Sequence, residues 1–386
     1  MTLKAPFALD FDITFLNHGS FGACPRAVLE AQTRIRELME RRPVRFLAGE
    51  LYERIDAARA VLARFVGARP EDLVFVDNAT TGVNAVVRSL RFTPGDQILT
   101  TDHAYNACKN ALDWVAARSG ALVVVASVPF PLAHEDEIVD SVLAAVTPRT
   151  RLALLDHVTS PTALVFPLRR LVPALEAAGV EVLVDGAHAP GMLPLDLATL
   201  DATYYTGNCH KWMCAPKGAG FLVVRRERQD SLVPTVISHG LNAERSDRSR
   251  FHLLFDWCGT HDPSSWLCVP DALAALEGFL PGGVAELRAR NHDLAVAGRR
   301  ILLDRLGLAP PCPESLLGSM AAIPLGPGDP FALGKTLYDR HRIEVPVSPW
   351  PARGERVIRI SAQIYNSEED IIRLGDALAT ELATSG

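Results

Sequence analysis

Between residues 72 and 224 the chain repeats one pattern: a short apolar run, a turn, then often a stretch with helical spacing. The runs are DLVFVD, QILTT, ALVVVA, RLALLD, VEVLVD, ATYYT and GFLVV. Several read apolar almost throughout, as strands covered on both faces do. Helical patterns over residues 105–119 and 168–178 lie between them. Strands separated by helices pair in parallel through crossovers, and the helices then cover both faces of the sheet. The pattern predicts an α/β fold built on a mainly parallel, seven-stranded sheet.

The flanks read differently. Before about residue 70, PRAVLEAQTRIRELMERR and LYERIDAARAVLARFVG carry apolar residues at helical spacing. The C-terminal part holds two long helical patterns, the strand-like runs MAAIPL, RIEVPV and RVIRI, and a last helix, SEEDIIRLGDALATELA. This predicts a large domain over residues 1–275, with the helical segment at its N-terminus, and a smaller α+β domain over 276–386. The turn residues Pro281–Gly283 lie near the junction, which a long helix could equally span.

With 386 residues the chain can bury a large core. A net charge of −6 without a basic block argues against nucleic acid as a partner, so small acidic substrates must be met by local arginines. The seven cysteines are scattered and form no C-x-x-C pair, which argues against a zinc site or a disulfide framework. The N-terminus does not read as a signal peptide, and no apolar stretch approaches the ~20 residues of a membrane span. A cytoplasmic location is the reading, without metal and without a membrane partner.

The chemistry concentrates near YYTGNCHKWMCAPKGAGF, residues 204–221. A lysine among buried-looking neighbours has a depressed pKa and can form a Schiff base, and Lys211 sits beside Trp212, Met213 and Cys214. Twenty-six residues earlier Asp185 ends the apolar run VEVLVD, where a carboxylate suits a buried cationic ring nitrogen. Taken alone, Asp185 is equally a helix cap or turn residue. Together the two describe a pyridoxal 5'-phosphate (PLP) site: a lysine Schiff base and an acidic partner for the pyridinium. Lys217, just before GAGFLVV, is the rival lysine. The phosphate needs donors, and DLVFVDNATTGVNAVV reads as strand, polar turn and helix start. Ala79, Thr80 and Thr81 at that helix N-terminus are the candidates.

Nearly the whole chain resembles the class V, fold-type I PLP enzymes, and within them the isopenicillin N epimerase-like subgroup. The resemblance is carried by FLNHGSFG, NATTGVNAV, DHAYNACKNAL, VDGAHAPG, TGNCHKW, GTHDPSSW and IRISAQIYN. It implies Lys211 as the Schiff-base lysine and Asp185 as the pyridinium partner. Thr206 and His210 would add phosphate contacts. Gly259 and Thr260 would reach the phosphate of a neighbouring subunit, which implies a homodimer with shared sites. Tyr105, or alternatively His103, would stack on the ring. His188 would lie over the ring or near its O3', unless it is a satisfied core histidine. At the strand end LLDHVTS, with Asp156 and His157, Thr159 would approach the ring hydroxyl. Arg359 would hold the substrate α-carboxylate, as a planar fork suits that anion. Asn17 and His18 would line the substrate mouth. Arg41, Arg42 and Arg45 either read a distal carboxylate or form a charged helix end.

PLP labilises whichever bond the protein aligns with it, so the reaction stays open. Epimerisation, β-elimination from a cysteine conjugate or its sulfoxide (carbon–sulfur lyase) and transamination all begin with an amino-acid substrate and a lysine base. Lys211, Asp185 and Tyr105 are the candidate catalytic residues, and Cα–H abstraction of the epimerase type is the favoured reading. Cysteine desulfuration is disfavoured, because EVPVSPWPARGERVIR, ahead of the carboxylate arginine, has no cysteine, and Cys312 lies well upstream. An inactive PLP-fold binding module is the non-enzymatic alternative, against which the retention of Lys211 and Asp185 argues.

Overall fold

The computed structural model describes residues 3–383, so the outermost ends of the two expected domains lie outside it. A two-residue strand, β1 (Thr14–Phe15), comes first. Seven strands follow in chain order: β2 (Leu73–Val76), β3 (Gln97–Thr101), β4 (Leu122–Ala126), β5 (Thr150–Asp156), β6 (Glu181–Gly186), β7 (Tyr204–Asn208) and β8 (Gly220–Val224). They form one sheet in the order β2-β8-β7-β6-β5-β3-β4, and every predicted apolar run supplies one strand. β8 runs against both its neighbours and the other pairs are parallel, so the sheet is mainly parallel as the pattern implied.

The inner strands are buried on both faces, the edge strand β4 leaving Leu122 and Val125 exposed, and the period of two assigns each residue to one face. Ala153, Leu155, Val182 and Val184 join the main core on one side. Leu152, Leu154 and Leu183 join a second core on the other side, shared with Val83 of the helix Ala79–Ser89 and Leu112 of the helix Asn106–Ser119. Each such Leu or Val, buried in full, contributes about 1.5–3 kcal/mol relative to exposure. The same alternation carries Asp156 and Asp185, at the ends of β5 and β6, onto that second face. They stand side by side in the register. Ligand sites of such sheets form beyond the C-terminal strand ends, and the helices covering this face present their N-termini there.

The C-terminal part is built on a three-stranded antiparallel sheet. It comprises β9 (Met320–Pro327), β11 (Val347–Pro349) and β12 (Glu355–Ser361), with β12 in the centre. The run RIEVPV, expected as one strand, divides. β10 (Ile343–Glu344) pairs with β1, while Val347 begins β11 beside β12. Pro346 falls between the two pieces and has no N–H to give a ladder. The predicted helices appear as Gly283–Leu306, Pro330–His341 and Glu368–Ala383. Residue 275 falls inside the helix Val269–Glu277, and a turn through Pro281 separates that helix from the long one beginning at Gly283.

Candidate functional site

A cavity of about 520 Å³ opens at the C-terminal ends of β5, β6 and β7. Lys211, Asp185, Asp156, His188, Tyr105 and Thr81 are among its lining residues. Lys211 lies in the turn after β7. Its amine is 3.2 Å from His188 Nε2. Burial, and then the charge of Arg359, lower the lysine to about 8. Burial and the neighbouring Lys211, Arg359 and His210 charges likewise hold His188 well below the usual imidazole range. Lys217, the rival, lines the same cavity but donates to the carbonyl of Gly22 at 3.1 Å.

Beneath them lie the two strand-end carboxylates. Asp185 accepts the Ala187 N–H at 3.0 Å and the Cys108 thiol at 3.1 Å. Asp156 keeps one buried oxygen, Oδ2, without a partner. Burial, and next the Asp185 charge, push the Asp156 carboxyl well above the usual carboxylate range. Two carboxylates one strand apart in a dry site resist carrying two negative charges.

The helix Ala79–Ser89 starts at the cavity wall. Asn78 caps it by accepting the Thr81 N–H, and Asn208 from β7 accepts the Ala79 N–H at 2.8 Å. Ala79, Thr80, Thr81 and His210 all line the cavity, so a helix N-terminus and two hydroxyls face one side of it. Gly82 fixes how closely the helix approaches the sheet: a Cβ there would meet the Thr206 hydroxyl at 2.1 Å. Thr206 itself lies behind the wall, donating to the Phe221 carbonyl at 2.8 Å.

Other expected residues separate into liners and supports. Tyr105, 47% exposed, lines the cavity, whereas His103 is buried between the Thr162 hydroxyl and the Val128 carbonyl. Thr159 is buried in its own turn, accepting the Leu164 N–H at 2.8 Å, and its neighbour Ser160 is the liner. His18 is buried against Trp212, bonded to Tyr365 and to the Lys211 carbonyl, so it braces the lysine turn. Asn17 accepts the Ser20 hydroxyl, and Ser20 reaches the cavity. Gly259 and Thr260 border a separate cavity of about 160 Å³ with Asp77 and Thr81, beside the same helix start. Arg41, Arg42 and Arg45 are exposed, and Arg45 pairs with Glu50.

Arg359 projects from β12. It is 6% exposed, yet no carboxylate among the described residues forms an ion pair with it. Its Nη1 donates to the Ser160 carbonyl at 2.5 Å and its Nη2 to the Ser20 hydroxyl at 3.1 Å, while Nε is left unpartnered. Burial lowers even this guanidinium to about 10. A second cavity, of about 380 Å³, contains Arg359 and shares Ser20, Tyr105 and Ser160 with the first. Sequence reasoning missed the contributions of Ser20, Ser160, Asn208 and Cys108. With the register known, strand parity places Asn208 and the paired aspartates on one face.

A buried lysine, paired strand-end carboxylates and a helix N-terminus meet around one cavity. The family model for aminotransferase class-V matches residues 23–374, and the chain belongs to that family. It is 38% identical to the isopenicillin N epimerase of Amycolatopsis lactamdurans over 96% of each chain. It is also 33% identical to a probable chloroplastic L-cysteine desulfhydrase of Arabidopsis thaliana, across 96% of this chain and 83% of that one. The fold matches a cysteine desulfurase structure from Thermococcus onnurineus with a TM-score of 0.81, covering 98% of this chain and 97% of that one, at 19% identity.

Proposed function

We propose that the chain is a PLP enzyme that removes the Cα hydrogen of an α-amino acid or amino-acid conjugate, in the manner of an isopenicillin N epimerase. One observation carries the reading. A buried amine lowered to about 8 shares a cavity with Asp185, and a buried guanidinium without an ion-pair partner lies at the adjoining edge.

The residues fit the cofactor. PLP asks for an amine, an acid for its ring nitrogen and an anion cradle. Lys211, Asp185 and the start of the helix at Ala79 supply them, and buried polar atoms of Asp156 and His188 still lack partners. Lys211 would hold the cofactor covalently. Asp185 would face its ring nitrogen, and Tyr105 and His188 would flank it. Ala79, Thr80, Thr81 and His210 would bind its phosphate. Thr206 and Thr159, set behind the wall, would orient the elements that do. When bound, PLP supplies the electron sink for the carbon left by proton removal.

The rest belongs to the chain. At pH 7 about a tenth of an amine with the Lys211 value is neutral, against fewer than one in a thousand at the ordinary lysine value. The lowered value makes Lys211 the candidate base for the Cα proton. Arg359, fixed by bonds to Ser160 and Ser20, orients the α-carboxylate. The carbon–sulfur lyase reading uses the same residues and differs in needing a leaving group on Cβ. Its support is the similarity to the desulfhydrase, close to that of the epimerase. Neither cavity is lined by a cysteine among the described residues, in line with disfavouring desulfuration.

The test is incubation of the PLP-loaded enzyme with amino acids and cysteine conjugates in D₂O, followed by NMR and chiral chromatography. Deuterium at Cα with inversion is the expected result. Keto acid, ammonia and a released thiol would instead assign the lyase, and keto acid formed only with an amino acceptor the aminotransferase. Absence of Cα exchange with every compound would overturn the mechanism.

A further inference from the structure

The second cavity carries information that the cofactor cavity does not. Its volume, about 380 Å³, is more than ten times the ~30 Å³ share of one water. A thiol or a methyl group would leave nearly all of it empty. Its walls are Asp102 and Asn106, from the turn after β3 and the helix that follows, and Pro346, Ser348 and Trp350, from the segment around β11.

Two of its lining residues carry formal charge, Arg359 and Asp102. Arg359 is committed to an α-carboxylate under the function proposed above, on which this inference rests. The charge left for the remainder of a substrate is negative. Asp102 accepts the Ser127 hydroxyl at 2.9 Å and the Val128 N–H at 3.0 Å, bonds that fix the carboxylate without cancelling its charge. No lysine or arginine among the described residues forms an ion pair with it. The nearest basic group is His103 Nε2 at 3.8 Å. That ring is buried, and burial lowers its pKa, outweighing the Val128 carbonyl and Asp102 and favouring the neutral form. Trp350 adds an aromatic surface, packed edge-on against Phe130. A carboxylate and an indole lining one cavity suit a cation, which gains from both the charge and the ring quadrupole.

We infer that the second cavity receives the substrate side chain, and that Asp102 and Trp350 select an extended side chain ending in an ammonium or similar cation. A side chain ending in a carboxylate meets repulsion there, and no guanidinium but Arg359 lines the cavity to offset it. Arg41, Arg42 and Arg45 of the same chain do not line it.

The experiment compares four amino acids on the PLP-loaded enzyme: S-(2-aminoethyl)-, S-propyl- and S-(carboxymethyl)-L-cysteine, and L-cysteine itself. Loss of Cα–H signal in D₂O gives kcat/KM for either epimerisation or elimination, and spectral titration of the bound cofactor gives binding separately. The aminoethyl compound is expected to lead and the carboxymethyl compound to trail it by roughly tenfold or more, as for attraction against repulsion at a half-exposed charge. In Asp102→Asn that ratio is expected to collapse towards one, in binding as well as in turnover. The wild-type series decides the matter even where the variant folds poorly. Equal or better use of the carboxymethyl compound would overturn the inference and leave the proposed function standing, as would a preference for free cysteine. Exchange with none of the four, in protein shown to contain PLP, would remove the proposed function itself.

Discussion

Lys211 and Lys217 are six positions apart and both reach the same cavity, so position alone does not choose between them. Their partners do. Lys217 is satisfied by a backbone carbonyl, while the Lys211 amine faces His188 above the carboxylates. Borohydride reduction of the holoenzyme, followed by peptide mapping, should therefore place the label on Lys211. A label on Lys217 would sink the assignment. The lowered pKa adds a pH test. Only the neutral amine attacks an aldehyde, so the rate at which apoenzyme takes up PLP should rise with pH and level off above about 8, rather than climbing towards the 10.5 of an ordinary lysine. Arg359 makes a different prediction, because its chemistry is recognition. Arg359→Lys keeps the charge and loses the fork. A charged hydrogen bond of about 1.5–3 kcal/mol corresponds to roughly a ten- to hundredfold rise in KM for the amino acid, with a smaller change in kcat. An unchanged KM would assign Arg359 a structural role instead.

At the scale of elements, the helix Ala79–Ser89 connects sequence to site through one cap. Removing it in Asn78→Ala should cost about 1 kcal/mol of stability, read as a lower Tm, and should also weaken PLP binding, because the same helix start faces the cavity. Lost stability with undiminished PLP affinity would separate the helix end from the phosphate. The sheet ends predict a contrast. Asp185→Asn should keep much of the cofactor yet lose most of kcat, since a neutral amide cannot stabilise a protonated ring nitrogen. Near-normal turnover would remove that role. These elements show what the sequence could reveal. Seven apolar runs announced seven strands because the inner ones are buried on both faces and the edge strand β4 keeps the same β-branched composition. The pairing of Asp156 with Asp185 did not, because register is a property of two strands and each run shows only its own alternation. Arg359 was visible as a residue type at a familiar position. Its anchoring by Ser160 and Ser20 was not, since those contacts join positions 199 and 339 apart. RIEVPV misled because a continuous run can serve two ladders, and the proline inside it was the one local sign of the break.

At the scale of the molecule, large apolar side chains stand exposed beside the two cavities at the start of the helix Ala79–Ser89. Phe21 is 70% exposed at the cavity wall, and Val236 and Ile237 are 54% and 55% exposed beside the smaller cavity that Thr260 borders. Exposed apolar groups of this size suit burial against a second copy. That supports the expected homodimer, in which Thr260 of each chain serves the phosphate of the other. Sedimentation should give twice the 41.9 kDa chain mass, and a fully active monomer would exclude a shared site. Complementation tests the sharing itself. Thr260→Glu should repel the phosphate and bind PLP poorly, and Lys211→Ala should be inactive. In a mixed dimer of the two, one site combines Lys211 from the first chain with Thr260 from the second and is wholly wild type. Random reassociation makes about half of all dimers mixed, so about a quarter of wild-type activity should return from two crippled parents. If Thr260 instead acts within its own chain, every site that retains Lys211 also carries the glutamate. Mixed dimers, shown to form by native mass spectrometry, would then stay as inactive as their parents, and the shared site would be refuted.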